Sequence, residues 1–573
     1  MSNHSACFYK TKYHTMLITG TFAMAMVYIM MLSSNIIAGL MIGKDAVAAI
    51  NIVAPLISVS MAISLCVSEG TSVLYSRAIG KMKRDRADKL FGMGVIVNTI
   101  LAIVIPVFIF VFKNIYLNQS GATGDILKFA REFYFFLPLE CALLIFCTYF
   151  GQMVYNDGDE KVVSISYFLQ FFGNICLSIV FAKLFGIRGI MMGTCAGNLL
   201  ALISLFFHSS SKANTLKFVY YFNFKELIRA IKYSITDGLY YFLWGVVDYV
   251  LISFISRNFG EEYLVLLAVA VSLIEFSVVF DGIGMAIQPL IGVYLGEKNH
   301  LLIRRLMKDT VLTAIIEGVI ATVIVYIFAP FFARLFGIND PTLMEPAVIA
   351  IRIMCSAFVA NALFMLETSY YLYTDHIWFA VVATFLKDGI LYMILPLLFG
   401  SLIGINGIWI GFALAPVLAI ILSMLCLYFY FGKKKFPWIL ENMDHEIVVM
   451  DDLLSLDSIA DVSEAIHEQF EKHGYDRKIA MKARLFAEEI FSTIREKNED
   501  KKVIIEVSLL YDDDSVRLIF RDSGKIFDIT DPDLEITSIS SLLLNKLLSM
   551  KEEKDYIPTT GYNKNVLRFY KNE

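Results

Sequence analysis

The chain has 573 residues, 57% of them hydrophobic and only 18% charged, a balance that excludes an ordinary soluble globular protein, in which about a quarter of residues are charged. Charge is also unevenly placed: residues 1–443 carry 31 Lys/Arg against 26 Asp/Glu, whereas residues 444–573 carry 18 against 28. A nearly neutral apolar body therefore precedes an acidic tail, and that tail repels nucleic acid and anionic lipid, so it is expected as a soluble domain below a membrane body.

Lys10 and Lys12 precede a long apolar run with no small-residue cleavage site, so the run is expected to remain as the first membrane helix rather than leave as a signal peptide. Apolar runs long enough to span the hydrocarbon core, about 20 residues, are expected near 16–40, 48–76, 91–112, 133–154, 162–182, 189–207, 233–256, 263–293, 310–331, 346–372, 377–399 and 405–432. Basic residues concentrate after the even-numbered runs, as in Arg77, Lys81, Lys83, Arg84, Arg86 and Lys89, and again in Lys433, Lys434 and Lys435 after the last run. By the positive-inside rule both termini are then cytoplasmic and the chain is a multi-pass protein of the cell membrane.

An even number of spans gives the two halves the same orientation. "GIRGIMMG" from Gly186 returns as "GINGIWIG" from Gly404, 218 residues later. "LYSRAIGKMKRDRADKLF" from Leu74 falls on "LIGVYLGEKNHLLIRRLM" from Leu290, with Gly80 opposite Gly296 at an offset of 216. Two anchors at nearly one offset mark a duplicated unit, and parallel repeats of this kind occur in transporters that rock about a central cavity. The expected fold class is an all-α polytopic membrane protein, twelve transmembrane helices in two parallel six-helix lobes, with a cytoplasmic α/β sandwich. Its expected parts are an N-terminus (1–14), an N-lobe (15–208), a linker (209–232), a C-lobe (233–435) and a tail domain (436–573).

The pieces "AGLMIGKDAVAAINIVAPL" from Ala38, "EGTSVLYSRAIGKMKRDRA" from Glu69, "VYNDGDEK" from Val154, "GNICLSIVF" from Gly173 and "IQPLIGVYLGEKN" from Ile287 resemble the multidrug and toxic compound extrusion (MATE) family. The resemblance implies two six-helix lobes forming a V, whose cavity opens alternately to each side and expels drugs or organic cations against a sodium or proton gradient. Many members carry an aspartate where this chain has Ser34, followed by Asn35, and an Asn-x-x-x-Asp motif where it has Asn174 and Ser178. The N-lobe cavity residues thus lack both carboxylates, which argues against proton coupling through that lobe.

A carboxylate at mid-bilayer costs roughly 2.5–3.5 kcal/mol on insertion scales and marks a pathway or a partner. The apolar runs retain Glu69, Glu140, Asp248, Glu275, Asp281, Glu317, Glu367 and the adjacent Lys387 and Asp388. Asp248, Glu275 and Glu367 lie in the seventh, eighth and tenth runs, the helices that line the cation site in the sodium-coupled branch of the family, and are the expected coupling residues. Sodium needs oxygen ligands, whereas a buried carboxylate can instead carry a proton. Lys387 and Asp388 read as a neutralising pair. The aromatic residues Tyr240, Tyr241, Phe242, Tyr370 and Tyr371 either pack between helices or stack on a lipophilic cation. The eight cysteines and eight histidines show no metal-ligand spacing.

From His445 the pattern changes to short alternating segments and amphipathic helices. Their order resembles the histidine-kinase-type ATPase fold, closest to the anti-sigma-factor serine kinase branch. Its Glu-x-x-x-Asn motif falls on Glu489 and Thr493, its Asp-x-Gly motif on Asp522 and Gly524, and its glycine-rich lid on "ITSISSLLLNKLL", which has no glycine. The damaged motifs favour a regulatory tail, open to a cytoplasmic partner, over an ATPase or kinase that binds magnesium-ATP. His467 reads as a surface residue. The transport reading stands beside two others: a membrane sensor with a transporter-like body, and a flippase of lipid-linked substrates.

Overall fold

The computed structural model describes residues 8–571 except 120–123, 212–213, 261–262, 336–337, 339–340, 433–437, 439, 441–445, 500, 532–538, 550–553 and 559–560. The Lys433–Lys435 cluster and the side chain of Asp248 lie outside the described residues.

Backbone amides in hydrocarbon must find partners within their own segment, so the apolar runs close into helices. The first half comprises α1 (Phe8–Met41), α2 (Lys44–Gly80), α3 (Arg84–Gln119), α4 (Gly124–Phe133), α5 (Leu137–Asp157), α6 (Glu160–Phe185) and α7 (Ile187–Phe206). α8 (Phe224–Lys232), capped by Asn223, lies in the stretch expected as a plain linker. The second half comprises α9 (Ile235–Asn258), α10 (Leu264–Glu275), α11 (Asp281–Glu297), α12 (His300–Ile327), α13 (Ala329–Leu335), α14 (Pro341–Cys355), α15 (Phe358–Tyr373), α16 (Ile377–Thr384), α17 (Tyr392–Ile403) and α18 (Ile405–Phe431).

Among the described residues ten helices are long and apolar enough to cross a membrane, and α14 with α15, bent by 40°, makes an eleventh. The expected twelve is not reached by this count. The expected seventh run does fold, as α9, but it holds several undescribed side chains and is not among the ten. Several runs that read as continuous are broken: α10 passes into α11 through a 3-10 turn, and α16 into α17 through a π-helical turn over Phe385–Leu391.

The repeated phrases mark equivalent structural points. Gly186 (φ 62°) and Gly404 (φ 86°) turn the chain between paired helices in the left-handed region that glycine adopts freely. Three residues on, a Cβ on Gly189 would stand 2.0 Å from the Phe181 carbonyl oxygen, and one on Gly407 1.9 Å from that of Phe399. The second pair meets at the seam between the halves. A Cβ on Gly80 would stand 2.3 Å from the Val293 carbonyl oxygen, and one on Gly296 2.7 Å from that of Arg77 and 2.8 Å from Gly80 itself. α2 and α11 therefore cross in backbone contact, and Gly20 of α1 meets Gly282 in the same way.

The tail contains β1 (Ile447–Leu453), α19 (Leu456–Lys472), α20 (Arg477–Asn498), β2 (Ile504–Tyr511), β3 (Ser515–Asp522), α21 (Ile539–Ser549), β4 (Lys554–Tyr556) and β5 (Asn563–Tyr570). Its strands pair antiparallel in the order β1-β2-β3-β5-β4. The period-2 alternation sends Val507, Leu509, Leu518, Phe520, Leu567 and Phe569 into a core shared with the helices. The residues between them, Glu506, Ser508, Ile519, Arg521, Lys564 and Val566, are buried as well, because this second sheet face lies on the membrane body. The tail is thus docked rather than hanging free.

Candidate functional site

Glu367 lies in α15 at 2% exposure. Its Oε2 accepts a hydrogen bond from Ser423 Oγ of α18 at 2.9 Å, and its Oε1 has no hydrogen-bond partner among the described residues. Glu275 ends α10 at the break, within electrostatic reach of Tyr28 of α1, whose hydroxyl donates to the Ser272 carbonyl at 3.0 Å. Asp248 is placed on α9 by its backbone alone. Lys387 and Asp388 do pair, at 3.1 Å, inside the π-helical turn, with Lys387 also 4.4 Å from the Phe364 ring. Tyr370 packs on Trp438, beyond the end of α18, at 4.8 Å and Tyr371 on Phe379 of α16 at 5.7 Å, so both rings are engaged in packing within the protein.

In the N-lobe, Asn174 is held between Ser33 Oγ, which donates to its Oδ1 at 3.3 Å, and Thr194, which accepts from its Nδ2 at 3.0 Å. Ser33, the neighbour of Ser34, is the residue that faces Asn174, and adjacent helical residues point about 100° apart. Asn35 buries an unpartnered Oδ1 among the described residues. Ser178 donates to the Ile190 carbonyl at 2.9 Å and packs where Gly193 leaves room, so it holds the α6–α7 hairpin together rather than lining a cavity.

The seam carries polar contacts that the sequence reading missed. Glu69 of α2 accepts a hydrogen bond from Tyr373 Oη of α15 at 2.9 Å, across the lobes. Arg77 donates to Tyr233 Oη at 2.7 Å, to Asp375 Oδ1 at 2.7 Å and to the Tyr373 carbonyl. Although burial opposes its charge, Asp375 is held below the usual aspartate range, chiefly by the adjacent Arg77 guanidinium. Gln288 of α11 donates to Ser72 Oγ of α2 at 2.7 Å and accepts from Gln152 of α5. These contacts close the lobes on the tail side.

In the tail, Asp522 Oδ1 accepts from the Gly524 amide at 2.9 Å and from Asn563 Nδ2 at 2.8 Å, while its Oδ2 has no hydrogen-bond partner among the described residues. Burial pushes its carboxyl up to about 7. The native tail therefore keeps a proton that the unfolded chain releases above the ordinary value of 3.8, so this group's contribution to stability falls as pH rises from 3.8 to about 7. Asp522→Asn is expected to flatten the pH dependence of tail unfolding followed by circular dichroism between pH 5 and 8. Thr493 spends its hydroxyl on its own helix, donating to the Glu489 carbonyl at 2.7 Å. The Asn498 amide crowds Gly524, where a Cβ would stand 2.4 Å from its Nδ2. His467, expected at the surface, is only 14% exposed and pairs with Glu471 at 3.3 Å.

A duplicated body of apolar helices, joined at a glycine-lined seam and holding acids within its spans, defines a polytopic membrane protein of two similar halves, a construction found in transporters. The sequence profile of the MatE family matches residues 21–180 and 239–395, one block in each lobe and more than half of the chain together. The chain belongs to this family. The probable multidrug resistance protein YoeA of Bacillus subtilis (strain 168) is 21% identical over 422 residues, covering 70% of this chain and 88% of YoeA. A crystal structure of a MATE protein in complex with MaL6 superposes with a TM-score of 0.68 at 18% identity, over 73% of this chain and 95% of that one. An outward-facing multidrug resistance MATE transporter of the MOP superfamily gives the same values. A MOP superfamily transporter from Pyrococcus furiosus, described as having a binding pocket of reversed polarity, gives 0.66 at 18% identity over 73% and 95%.

Proposed function

We propose that the chain is a cation-coupled antiporter that exports drugs or organic cations, with twelve membrane crossings, both termini in the cytoplasm and a regulatory tail. The observation that carries this reading is Glu367: a carboxylate 2% exposed, with one oxygen held by Ser423 and the other without a hydrogen-bond partner among the described residues. Such a group in a membrane span is balanced by a proton or a cation. Asp248 and Glu275, on neighbouring elements of the same lobe, complete the proposed coupling set. The polar pair Asn174 and Ser33, with Asn35, offers hydrogen bonds but no titratable charge in the N-lobe. Efflux of a fluorescent cationic dye from vesicles, with sodium and proton gradients imposed separately, tests the reading. Dye movement that follows neither gradient overturns it and favours a sensor or flippase.

The tail, in this reading, regulates and does not catalyse. Replacing the magnesium-binding asparagine of the family pattern with Thr493 removes a ligand that would neutralise phosphates, and a lid segment without glycine hinders their approach to backbone amides. Residues 440–573 are expected to fold, since they own a separate core, and to show no ATP turnover. Phosphate release that disappears on Glu489→Ala would instead make the tail a working ATPase.

A further inference from the structure

The second face of the tail sheet carries charge into a place where charge is costly. Arg521 of β3 bonds both Glu506 of β2 and Glu297, the last residue of α11, while Lys564 of β5 pairs with Glu297 at 2.8 Å. All four are at most 3% exposed. The cluster is neutral only when the tail and the body are together: without the tail Glu297 loses both of its cations, and Arg521 with Lys564 exceeds Glu506 by one positive charge.

The same ammonium of Lys564 also donates to the Gly80 carbonyl at 3.1 Å. Gly80 ends α2 and Glu297 ends α11, so one side chain bridges the two halves where their glycines cross. Other contacts follow the same division. On the first half, the Tyr562 ring packs tilted 4.4 Å from that of Phe8, Gly561 approaches the Gly158 carbonyl, and Met82 packs on Leu510, Ile519 and Val566. On the second half, Asn299 Nδ2 donates to Ser508 Oγ at 3.3 Å, and Tyr294 lies 5.5 Å beneath the Arg521 guanidinium.

We propose that the tail is a clamp across the seam, holding the lobes closed on its own side, and that opening toward that side requires the tail to let go of one half, at Gly80 on the first or at Glu297 on the second. The inference rests on the transporter reading, in which the lobes separate alternately at each face. Separation of α2 from α11 moves Gly80 away from Glu297, and Lys564 then keeps at most one of them. Whatever draws the tail from the body favours opening, and whatever holds it there prevents opening.

Two variants of the full-length chain test this in opposite directions, read by the distance between spin labels at Lys83 and Lys298, exposed residues of the two seam loops. R521M/K564M removes the cations and is expected to raise the population with separated labels several-fold. N299C/S508C combined with F8C/Y562C, each pair joined by a short reducible thiol cross-linker, ties the tail to both halves, keeps the charge cluster and is expected to lose the separated population and to lower dye efflux about tenfold or more, both recovering on reduction. A cross-linked chain that separates its labels and exports dye like the reduced chain overturns the clamp, whether or not R521M/K564M folds. Labels that respond as expected in vesicles without any dye efflux leave the clamp standing and count against the antiporter reading.

Discussion

Replacing Glu367 with Gln is expected to reduce gradient-driven dye efflux to background while the protein still inserts and folds. The amide keeps the shape of the carboxylate and, with its one carbonyl oxygen turned to Ser423, still accepts that hydrogen bond, so the structural cost is within the range of ordinary substitutions, about 1 kcal/mol. It removes the charge that a proton or sodium ion would balance, and with it the link between ion gradient and lobe movement. Ser423→Ala removes a hydrogen bond to a charged group, a change of about 1.5–3 kcal/mol, and should weaken coupling without abolishing it. Asp248→Asn is expected to match Glu367→Gln. The measurement is efflux under sodium and proton gradients imposed separately; unchanged efflux in both Glu367→Gln and Asp248→Asn would remove the C-lobe assignment.

Gly80→Val and Gly296→Val are each expected to disfavour closure on the tail side. The atoms an added Cβ would meet belong to the backbones of α11 and α2, so neither helix yields by rotating a side chain. Overpacking of this kind costs typically 1–3 kcal/mol, enough to shift a two-state population roughly fivefold to 150-fold. Because the two glycines are repeat partners at one crossing, the two variants should act in the same direction and by similar amounts. Gly39→Ala is the control, since its Cβ would meet Val47 at an ordinary 3.4 Å. The readout is the separation of labels at Lys83 and Lys298; equal separation in all three variants would mean that the glycine crossing does not set the closed state.

Much of the architecture was legible because it rests on periodicity and repetition. Long apolar runs have one stable answer in a bilayer, and the two anchors at offsets 216 and 218 proved to be matching turns and a shared crossing. The breaks were not legible. The run through Leu264–Glu297 is apolar on both sides of its 3-10 turn, and hydropathy does not register a change in hydrogen-bond step. That Ser33 rather than its neighbour Ser34 faces Asn174 was not legible for a related reason: composition gives depth along a helix, but the facing direction depends on how it is packed. Glu69 and Arg77 were read from their local sequence, while their partners Tyr373 and Asp375 lie about 300 residues away.

The tail's docking was hidden by its own alternation. Glu506, Ser508, Arg521 and Lys564 occupy the polar phase of their strands, and a polar phase normally means solvent. Their compensating acid, Glu297, stands 224 residues before Arg521. Neither charge looks unusual until both are seen buried.

A body made of two similar halves has a particular difficulty in seating a single domain. Near-twofold symmetry offers that domain two seats related by a half-turn, and the repeat would make them almost indistinguishable. The chain resolves this at one pair of positions. With Gly80 opposite Gly296, the counterpart of Glu297 is Lys81. A half-turn of the tail would present Lys564 and Arg521 to a lysine, exchanging attraction for repulsion at close range. At this position the two copies carry opposite charge, and the duplicated body thereby has a front and a back where the tail sits.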